Sequence, residues 1–243
     1  MGDHPAFTSE LKFALDEGAA AAVREWARLR LSSDPHSTGG GDSYSTTTLY
    51  FDTPGFDLFF RRRSYARAKF RIRRYNDGPM VFLERKLRIG DHLSKRRSEA
   101  AAGDLALLAG RNDWSGAWFA RRLERRNLHP VCQVAYHRAA YVGMSTSGPL
   151  RLTIDRRLTA APIHVAAFTN TAGAAILPGR IILELKYGAH MPALFERLIE
   201  EFRLSPLPIS KYRVAVRALG LAADGETICD WIDGSPAVKE NVL

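Results

Sequence analysis

Apolar and charged residues alternate along several separate segments of the chain. In residues 8–15, Glu10 and Lys12 occupy alternate positions, and leucine or phenylalanine occupies positions of the other set. A period of two residues is typical of a β-strand that has one charged face and one apolar face. This alternation, together with one segment rich in threonine and aromatic residues, predicts further strands at 45–51, 69–73, 83–88, 131–142, 151–155, 181–187 and 210–216.

The most cationic of these strands form a predicted hairpin. The residues between them, Asn76-Asp77-Gly78-Pro79, are typical of a turn, because glycine tolerates positive φ and proline ends the backbone pairing. In 69–73 lysine and arginine alternate strictly with apolar residues, and a short extended segment follows the hairpin at 95–97. One face of this antiparallel hairpin is therefore predicted to carry a dense array of positive charge.

Other segments have the spacing of amphipathic helices. In 17–31 apolar side chains recur every three to four residues, and Asp16 precedes the segment as a predicted N-cap. Helices are also predicted at 100–110, 114–127 and 192–202. Because such helices can cover the apolar face of a sheet, the chain is predicted to have an α+β fold.

The predicted strands, about eight in number, can be assembled in two ways. In a sandwich the charged face is exposed to solvent and the apolar face forms the core, which is usual for antiparallel sheets. In a barrel the charged face lines the lumen, and helices cover the apolar outside. A sandwich would expose the cations of several strands side by side, whereas cross-strand neighbours prefer opposite charges. A polyanion inside a barrel would relieve that repulsion, so the charge pattern favours the barrel.

Composition and charge indicate a folded protein with an anionic partner. The 243 residues are 46% apolar and 25% charged, and we predict a single domain over 1–243 in which 221–243 form a weakly patterned tail. The net charge is +9, and fourteen lysines and arginines lie between Arg61 and Arg97 against three acids. This concentration of charge predicts binding to nucleic acid, nucleotide, polyphosphate or an acidic membrane.

Two further features concern the cellular setting. The cysteines, Cys132 and Cys229, are far apart in sequence and suggest neither a disulfide framework nor a zinc site, which favours a reduced cytoplasmic location. The N-terminus lacks the pattern of a signal peptide, and no run approaches the ~20 apolar residues of a membrane span. Any association with a membrane is therefore expected to come through a membrane-protein partner.

Three acidic residues in the predicted strands each precede a lysine by two positions: Glu10, Glu84 and Glu184. Such a pair can be a salt bridge on one strand face, which contributes little when it is exposed to solvent. Alternatively, a carboxylate in a basic phosphate-binding cavity can hold a divalent cation that bridges phosphoryl oxygens. Both interpretations stay open for Glu10 and Glu84, and the second is favoured for Glu184.

In their order along the chain, these charged motifs resemble the polyphosphate polymerase domain of the vacuolar transporter chaperone (VTC) family, within the CYTH and triphosphate tunnel metalloenzyme superfamily. The resemblance covers 8–216 and depends on segments that are weak singly and specific together: ELKF at 10–13, YFDT at 50–53, KFRIR at 69–73, FLERK at 82–86, KRR at 95–97, RLTID at 151–155, LELK at 183–186 and SKY at 210–212. It implies a closed eight-stranded antiparallel β-barrel, a tunnel with a basic lumen and amphipathic helices packed outside.

The resemblance also implies an activity and a set of site residues. Polymerases of this family pass the terminal phosphoryl group of ATP to a growing polyphosphate chain and release ADP, so the expected ligands are ATP and inorganic triphosphate or polyphosphate. By position, the phosphate-binding residues of the reaction centre would be Lys12, Arg71, Arg73, Lys86, Arg151 and Lys211. Further ligand-binding residues would be Lys95, Arg97, Arg138 and Tyr212, the last by orienting Lys211. Glu184 and Glu10 would hold Mn²⁺ or Mg²⁺.

The first strand bears on the type of reaction. The hydrolytic and cyclase branch of the superfamily has Glu-x-Glu-x-Lys there, whereas this chain has Thr8-Ser-Glu10-Leu-Lys12 and lacks one acid. The loss weakens the case for a second metal and for activating water, and it favours transfer to phosphate. A phosphohydrolase acting on triphosphate or polyphosphate and a non-catalytic polyphosphate binder are the alternatives. Nucleic acid is not expected, because the residues between the cations are mainly aliphatic, whereas stacking aromatics are typical of single-strand binding.

Overall fold

The computed structural model describes residues 7–222 except 36, 38–40, 63, 64, 66, 67, 90, 91 and 110–112. The described residues have an α+β fold in which one antiparallel sheet contains ten strands. This confirms the predicted fold class. The tail predicted at 221–243 lies, from residue 223 onward, outside the described residues.

Most strands and helices fall close to the predicted segments. The strands are β1 (Ser9–Leu15), β2 (Ser32–Ser33), β3 (Ser43–Asp52), β4 (Ala68–Tyr75), β5 (Met80–Ile89), β6 (His92–Ala101), β7 (His129–Ser145), β8 (Gly148–Pro162), β9 (Ala174–Ala175) and β10 (Ile181–Tyr187). The helices are α1 (Glu17–Arg28), α2 (Ala117–Arg125), α3 (Ala193–Glu201) and α4 (Lys211–Ala218), and a 3₁₀ helix spans Ala102–Ala109. Neighbouring strands pair in the order β1-β10-β8-β7-β3-β4-β5-β6, while β2 pairs with β7 and β9 with β8. No helix among the described residues is long and apolar enough to cross a membrane.

The predicted hairpin is confirmed, because β4 and β5 are antiparallel neighbours. Asn76 and Asp77 have φ angles of 48° and 52°, and the Gly78 N–H donates to the Tyr75 carbonyl over 2.9 Å. Two successive residues with positive φ are the feature of a type I′ turn, whose twist matches that of the flanking strands. The left-handed residues of the turn are therefore Asn76 and Asp77, not the glycine that the sequence suggested.

The sheet curls until its two ends approach each other, but it does not close. β1 and β6 are the ends of the strand order, and no backbone pairing joins them in the described part of the chain. Side chains span this seam instead: Lys86 Nζ on β5 donates to Glu10 Oε2 on β1 over 3.4 Å, and Lys95 Nζ on β6 donates to the Phe7 carbonyl over 2.9 Å. The prediction of a closed eight-stranded barrel is therefore wrong, although eight strands do follow one continuous path. Strands that pair through their backbones lie about 4.8 Å apart. At the seam the contacts are made instead by the long side chains of lysines.

Amphipathic helices cover the apolar outer face of the curled sheet, as predicted. α1 and α3 pack beside β1, β8 and β10 around buried residues that include Phe13 and Phe195, while α2 packs over β5 through Phe119. Asp16 caps α1 as predicted, with Oδ1 accepting a bond from the Ala19 N–H over 2.7 Å. Because the apolar positions of each strand face outward, the alternate positions carry their charged side chains to the inner face.

The last helix corrects a prediction. The segment 210–216, which the sequence predicts as the last strand, belongs mainly to α4. Tyr212 and Val214 alternate as strand residues do, but Ala215 beside them is also buried. When both alternate sets are buried, periodicity does not separate a strand from a helix. α4 packs against β7 and β8, and its first residue, Lys211, reaches the inner face.

Candidate functional site

The inner face of the curled sheet carries charged side chains from most of the long strands and from α4. The strand register places them there, because every second residue of a strand points to the same face. We call them the inner-face cluster. Its cations are Lys12, Lys69, Arg71, Arg73, Lys86, Lys95, Arg97, Arg138, Arg151, Lys186 and Lys211, and its carboxylates are Glu10, Glu84, Asp155 and Glu184.

Glu184 and Asp155 form the centre of the inner-face cluster. Lys211 Nζ, from the first turn of α4, lies 2.6 Å from Glu184 Oε1 and 2.6 Å from Asp155 Oδ2. Arg138 makes two bonds to Asp155, with Nε 2.6 Å from Oδ1 and Nη2 2.7 Å from Oδ2. All four side chains are buried. Two carboxylates can be buried side by side in this position because two cations neutralise them directly.

Glu184 lies within 4 Å of cations from four elements. Besides Lys211, these are Lys12 on β1 at 3.7 Å, Lys186 on β10 at 3.7 Å and Arg138 on β7 at 3.8 Å. Burial opposes ionisation of this carboxyl group, but the cations, above all Lys211, outweigh burial and hold its pKa well below the usual value. Glu184 is therefore an anion at neutral pH.

A second group surrounds Glu84 on β5. Arg71 Nε on β4 donates to Glu84 Oε2 over 2.6 Å, and Arg97 Nε on β6 lies 3.7 Å from Oε1, since both arginines are direct cross-strand partners of Glu84. Burial opposes the charge on Glu84, yet the arginines lower its pKa to about 2. Arg73, the next cation on β4, is buried, and its Nε donates to Thr48 Oγ1 over 3.3 Å. No carboxylate of a described residue lies within 4 Å of Arg73.

Glu10 connects these groups across the seam. Lys12 Nζ lies 3.4 Å from Glu10 Oε1 and donates to the Ile209 carbonyl over 3.0 Å. Glu10 Oε2 accepts the bond from Lys86 that spans the seam. Burial opposes ionisation of Glu10, but the neighbouring lysines, led by Lys12, hold its pKa well below the usual value. The charged residues of β1 and β5 thus belong to one site.

Two predicted site residues lie at the margins of the cluster. Arg151 Nη2 on β8 lies 2.5 Å from the buried Asp34 Oδ2 and donates to the Tyr44 hydroxyl over 3.0 Å. The Lys95 side chain is largely exposed at the seam, where partial desolvation of its ammonium and the nearby Lys86 lower its pKa. Both cations can therefore reach a ligand only at the edges of the inner face.

Tyr212 does not join the inner-face cluster. Its hydroxyl donates to Asp52 Oδ2 over 2.6 Å, and this carboxylate also accepts bonds of 2.9 Å from the N–H groups of Leu58 and Phe59. The hydroxyl of Tyr212 thus contacts Asp52 and not Lys211, and its orienting role stays a prediction. Tyr212 instead attaches α4 to the end of β3, so any effect on Lys211 passes through the helix.

Three members of the cluster were given no role from the sequence: Lys69, Lys186 and Asp155. Lys69 faces Lys86 across β4 and β5, and burial together with neighbouring cations lowers its pKa to about 7. Burial likewise lowers the pKa of Lys186 to about 8. The signal was present, because the alternation that selects the arginines of β4 and Glu184 on β10 also selects these lysines.

Glu184 and Glu10 have the chemistry of a partial metal site. The described residues contain no group of three His, Cys, Asp or Glu side chains that could hold a metal ion. Mg²⁺, however, is commonly held by one or two carboxylates together with substrate phosphates, and Mn²⁺ prefers similar oxygen ligands. Lys12 Nζ lies within 4 Å of both carboxylates, so the two face the same ammonium group, and Glu184 Oε2 lies 3.7 Å from Lys186 Nζ and 3.8 Å from Arg138 Nη2. The pair therefore fits a divalent cation that phosphate oxygens help to hold.

Comparisons with known proteins concern both the sequence and the fold. A family model described as "VTC domain" matches residues 7–220. The structure is similar to that of the putative adenylyl cyclase HpAC1 from Hippeastrum, described as having a dominant triphosphatase activity, with 16% identity and a TM-score of 0.51 over 87% of this chain and 95% of that one. The PH1819 protein from Pyrococcus horikoshii OT3 aligns with 14% identity and a TM-score of 0.46 over 88% of this chain and 100% of that one. No curated protein shows significant sequence similarity to the chain.

Proposed function

The chain belongs to the VTC domain family, and on that premise we propose that it is a polyphosphate polymerase-like enzyme. It transfers the terminal phosphoryl group of ATP to a polyphosphate chain and releases ADP. The observation that carries this proposal is the inner-face cluster, in which cations from seven strands and α4 outnumber the carboxylates. A chain of phosphates is a ligand whose repeated negative charge complements such an array.

The cations bind phosphate by exchanging their carboxylate partners. Arg71 and Arg97 share Glu84, and several lysines share Glu184, so the carboxylates leave part of the positive charge uncompensated. Phosphate oxygens accept the same short, charge-assisted bonds as carboxylate oxygens do. The residues proposed to bind the triphosphate are Lys12, Arg71, Arg73, Lys86, Arg151 and Lys211, with Lys95 and Arg97 on adjoining phosphates. Arg138 makes two bonds to Asp155 and contributes its charge to the positive potential around the phosphates.

The protein's own contribution to transfer is positioning and charge. Cations on several strands hold the phosphate chain in one line, and their burial makes each charge act more strongly than it would in water. Mn²⁺ or Mg²⁺, held by Glu184 and Glu10, would neutralise charge on the transferred phosphoryl group. Before phosphate binds, Lys211 lies between Glu184 and Asp155, and these carboxylates raise its pKa in spite of burial, so its ammonium is charged when it meets the phosphates.

The same cluster would also suit a phosphohydrolase in which water replaces the acceptor chain. On β1 the inner face has Glu10, and the position of the second acid in the hydrolytic pattern is Thr8. One acid fewer gives less support for activating water, so transfer to phosphate is the proposed reaction. Products formed from ATP, tripolyphosphate and Mn²⁺ separate the candidates: a polymerase accumulates ADP with little orthophosphate, a hydrolase accumulates orthophosphate, and a binder accumulates neither.

Replacing Arg73 or Arg71 with alanine should weaken tripolyphosphate binding far more than replacing Arg62. The first two guanidiniums are on the inner face, whereas Arg62 is exposed beside Asp57 and the Gly55 carbonyl. A hydrogen bond to a charged group contributes about 1.5–3 kcal/mol, which corresponds to a rise in Kd of about 10- to 150-fold. Calorimetric titration with tripolyphosphate measures the three values. Equal, small losses at all three positions would show that the face assignment of β4 is wrong.

Tripolyphosphate affinity should fall as the pH rises above about 7, the pKa of Lys69. A bound polyanion favours the charged form of Lys69, so at higher pH the protein must take up a proton when the ligand binds. One coupled proton changes Kd by at most about tenfold per pH unit. The Lys69→Arg variant stays charged and should show a flatter pH dependence. The ionisation of the ligand and of Lys186 is common to both proteins. If the two slopes coincide, Lys69 does not face the bound phosphates.

A further inference from the structure

Four arginines come together on the outer face of the sheet, away from the inner-face cluster. Arg85 on β5 and Arg96 on β6 are direct cross-strand partners. Arg122 on α2 and Arg126 just after it are close enough to Arg85 to act on it electrostatically. We call these four residues the outer arginine patch.

Aromatic rings lie beside two of these guanidiniums. The Arg96 guanidinium carbon lies 4.4 Å from the centre of the Trp118 ring, and that of Arg126 lies 5.2 Å from the centre of the Tyr65 ring. Such a contact positions the charge of Arg96 and leaves its outer N–H groups available. Trp118 is only 7% exposed, so its ring is not free to stack on a nucleic-acid base.

The patch keeps a repulsion that a ligand would relieve. Arg85 and Arg96 are like charges directly opposite each other, an arrangement that destabilises a sheet. Burial and then the charges of Arg122, Arg96 and Arg126 lower the pKa of Arg85. Within the described part of the chain, no carboxylate lies within 4 Å of Arg85, Arg96 or Arg122. Arginine forks bind phosphate groups in pairs of bonds, so a ligand with several linked phosphates fits the patch.

The open seam connects the patch with the inner face. On β6, Lys95 and Arg97 belong to the inner-face cluster, whereas Arg96 between them belongs to the outer patch. Because no described strand pairs with the far edge of β6, a chain leaving the inner face can pass over this edge. We propose that the outer arginine patch binds a second segment of the same polyphosphate chain, outside the inner face. This inference rests on the proposed function, because its ligand is the proposed product.

The chemistry of the patch separates this ligand from other polyanions. A membrane-binding surface commonly adds apolar side chains that enter the lipid. The exposed large apolar residues of the described chain are Leu29, Met80, Met144 and Val165, and none of them belongs to the patch. Stacking on nucleic-acid bases is disfavoured by the covered Trp118 ring. A flexible chain of phosphates needs only the guanidiniums.

The test compares a short and a long phosphate ligand with the Arg96→Gln/Arg122→Gln double variant. Tripolyphosphate occupies the inner face alone, so its Kd should not change. Long-chain polyphosphate engages both sites, and losing the second should raise its Kd about tenfold. Arg125→Gln is the matched control, because Arg125 is an exposed arginine of α2 that is not among the groups acting on Arg85.

Each outcome supports or rejects polyphosphate binding by the outer arginine patch. An unchanged Kd for long-chain polyphosphate in the double variant would overturn the inference, as would an equal loss for tripolyphosphate or an equal loss in Arg125→Gln. Selective loss of binding to single-stranded RNA or to phosphatidylserine vesicles, with long-chain binding intact, would overturn it in favour of that partner. Failure of the wild-type protein to bind tripolyphosphate would instead reject the proposed function, whereas the long-chain comparison still reports on the patch.

Discussion

Glu184→Gln is expected to abolish metal-dependent ATP turnover while leaving tripolyphosphate binding intact or tighter. The carboxylate lies among Lys211, Lys12, Lys186 and Arg138, and glutamine keeps its shape while removing its charge. The substitution takes away a proposed metal ligand and also a source of repulsion towards phosphates. Loss of electrostatic stabilisation in a transition state lowers turnover by about two to three orders of magnitude.

Measuring ATP consumption with Mn²⁺ beside calorimetric titration with tripolyphosphate separates the two effects. A fall in turnover without a matching loss of substrate affinity identifies an interaction made mainly in the transition state. Glu25→Gln is a suitable control, because Glu25 is an exposed acid of α1 whose nearby cation, Arg28, is also outside the inner-face cluster. Wild-type turnover in Glu184→Gln would show that Glu184 is only a salt-bridge partner.

Lys211→Met is expected to destabilise the fold by about 3–5 kcal/mol, the cost of breaking a buried ion pair by removing one partner. The ammonium of Lys211 lies 2.6 Å from both Glu184 and Asp155, and all three side chains are buried. Methionine fills a similar volume but leaves two neighbouring carboxylates with less positive charge. Urea unfolding of the variant and of wild type gives the difference in the free energy of unfolding.

A double-mutant cycle tests whether the pair carries this cost. In Lys211→Met/Glu184→Gln one of the two carboxylates is neutral, so the double variant should be less destabilised than the sum of the single variants. Lys95→Met serves as the control, since Lys95 is an exposed cation at the seam and its loss should change stability little. Additive costs would show that Lys211 contributes through packing and not through the carboxylates.

The residues of the inner face could be predicted from the sequence because the information is local. Alternation in β4 puts Arg71 and Arg73 on one face, and the same rule puts Glu184 and Lys186 on one face of β10. The order of the motifs then identified the family, which the family match confirms. Lys69 and Lys186 were overlooked although the same rule selects them.

The features that could not be predicted depend on long-range packing. Whether β1 and β6 close is decided at a seam where Glu10 meets Lys86, 76 positions later in the chain, and no local pattern encodes that distance. In α4 the buried residues Tyr212, Val214 and Val216 alternate as strand residues do, and this alternation led to the prediction of a strand. The outer arginine patch likewise forms because α2 lies beside β5 and β6. The alternation of residues within β5 does not reveal that packing.

The proposed activity of the inner-face cluster is the transfer of phosphoryl groups from ATP to a phosphate chain. The most direct measurement incubates the purified protein with ATP and Mn²⁺, quantifies ADP, and resolves the products by gel electrophoresis. We expect ADP together with a ladder of polyphosphate chains, and neither product from the Glu184→Gln variant. Orthophosphate without any ladder, or ATP left unconsumed by a protein that binds tripolyphosphate, would contradict the proposed activity.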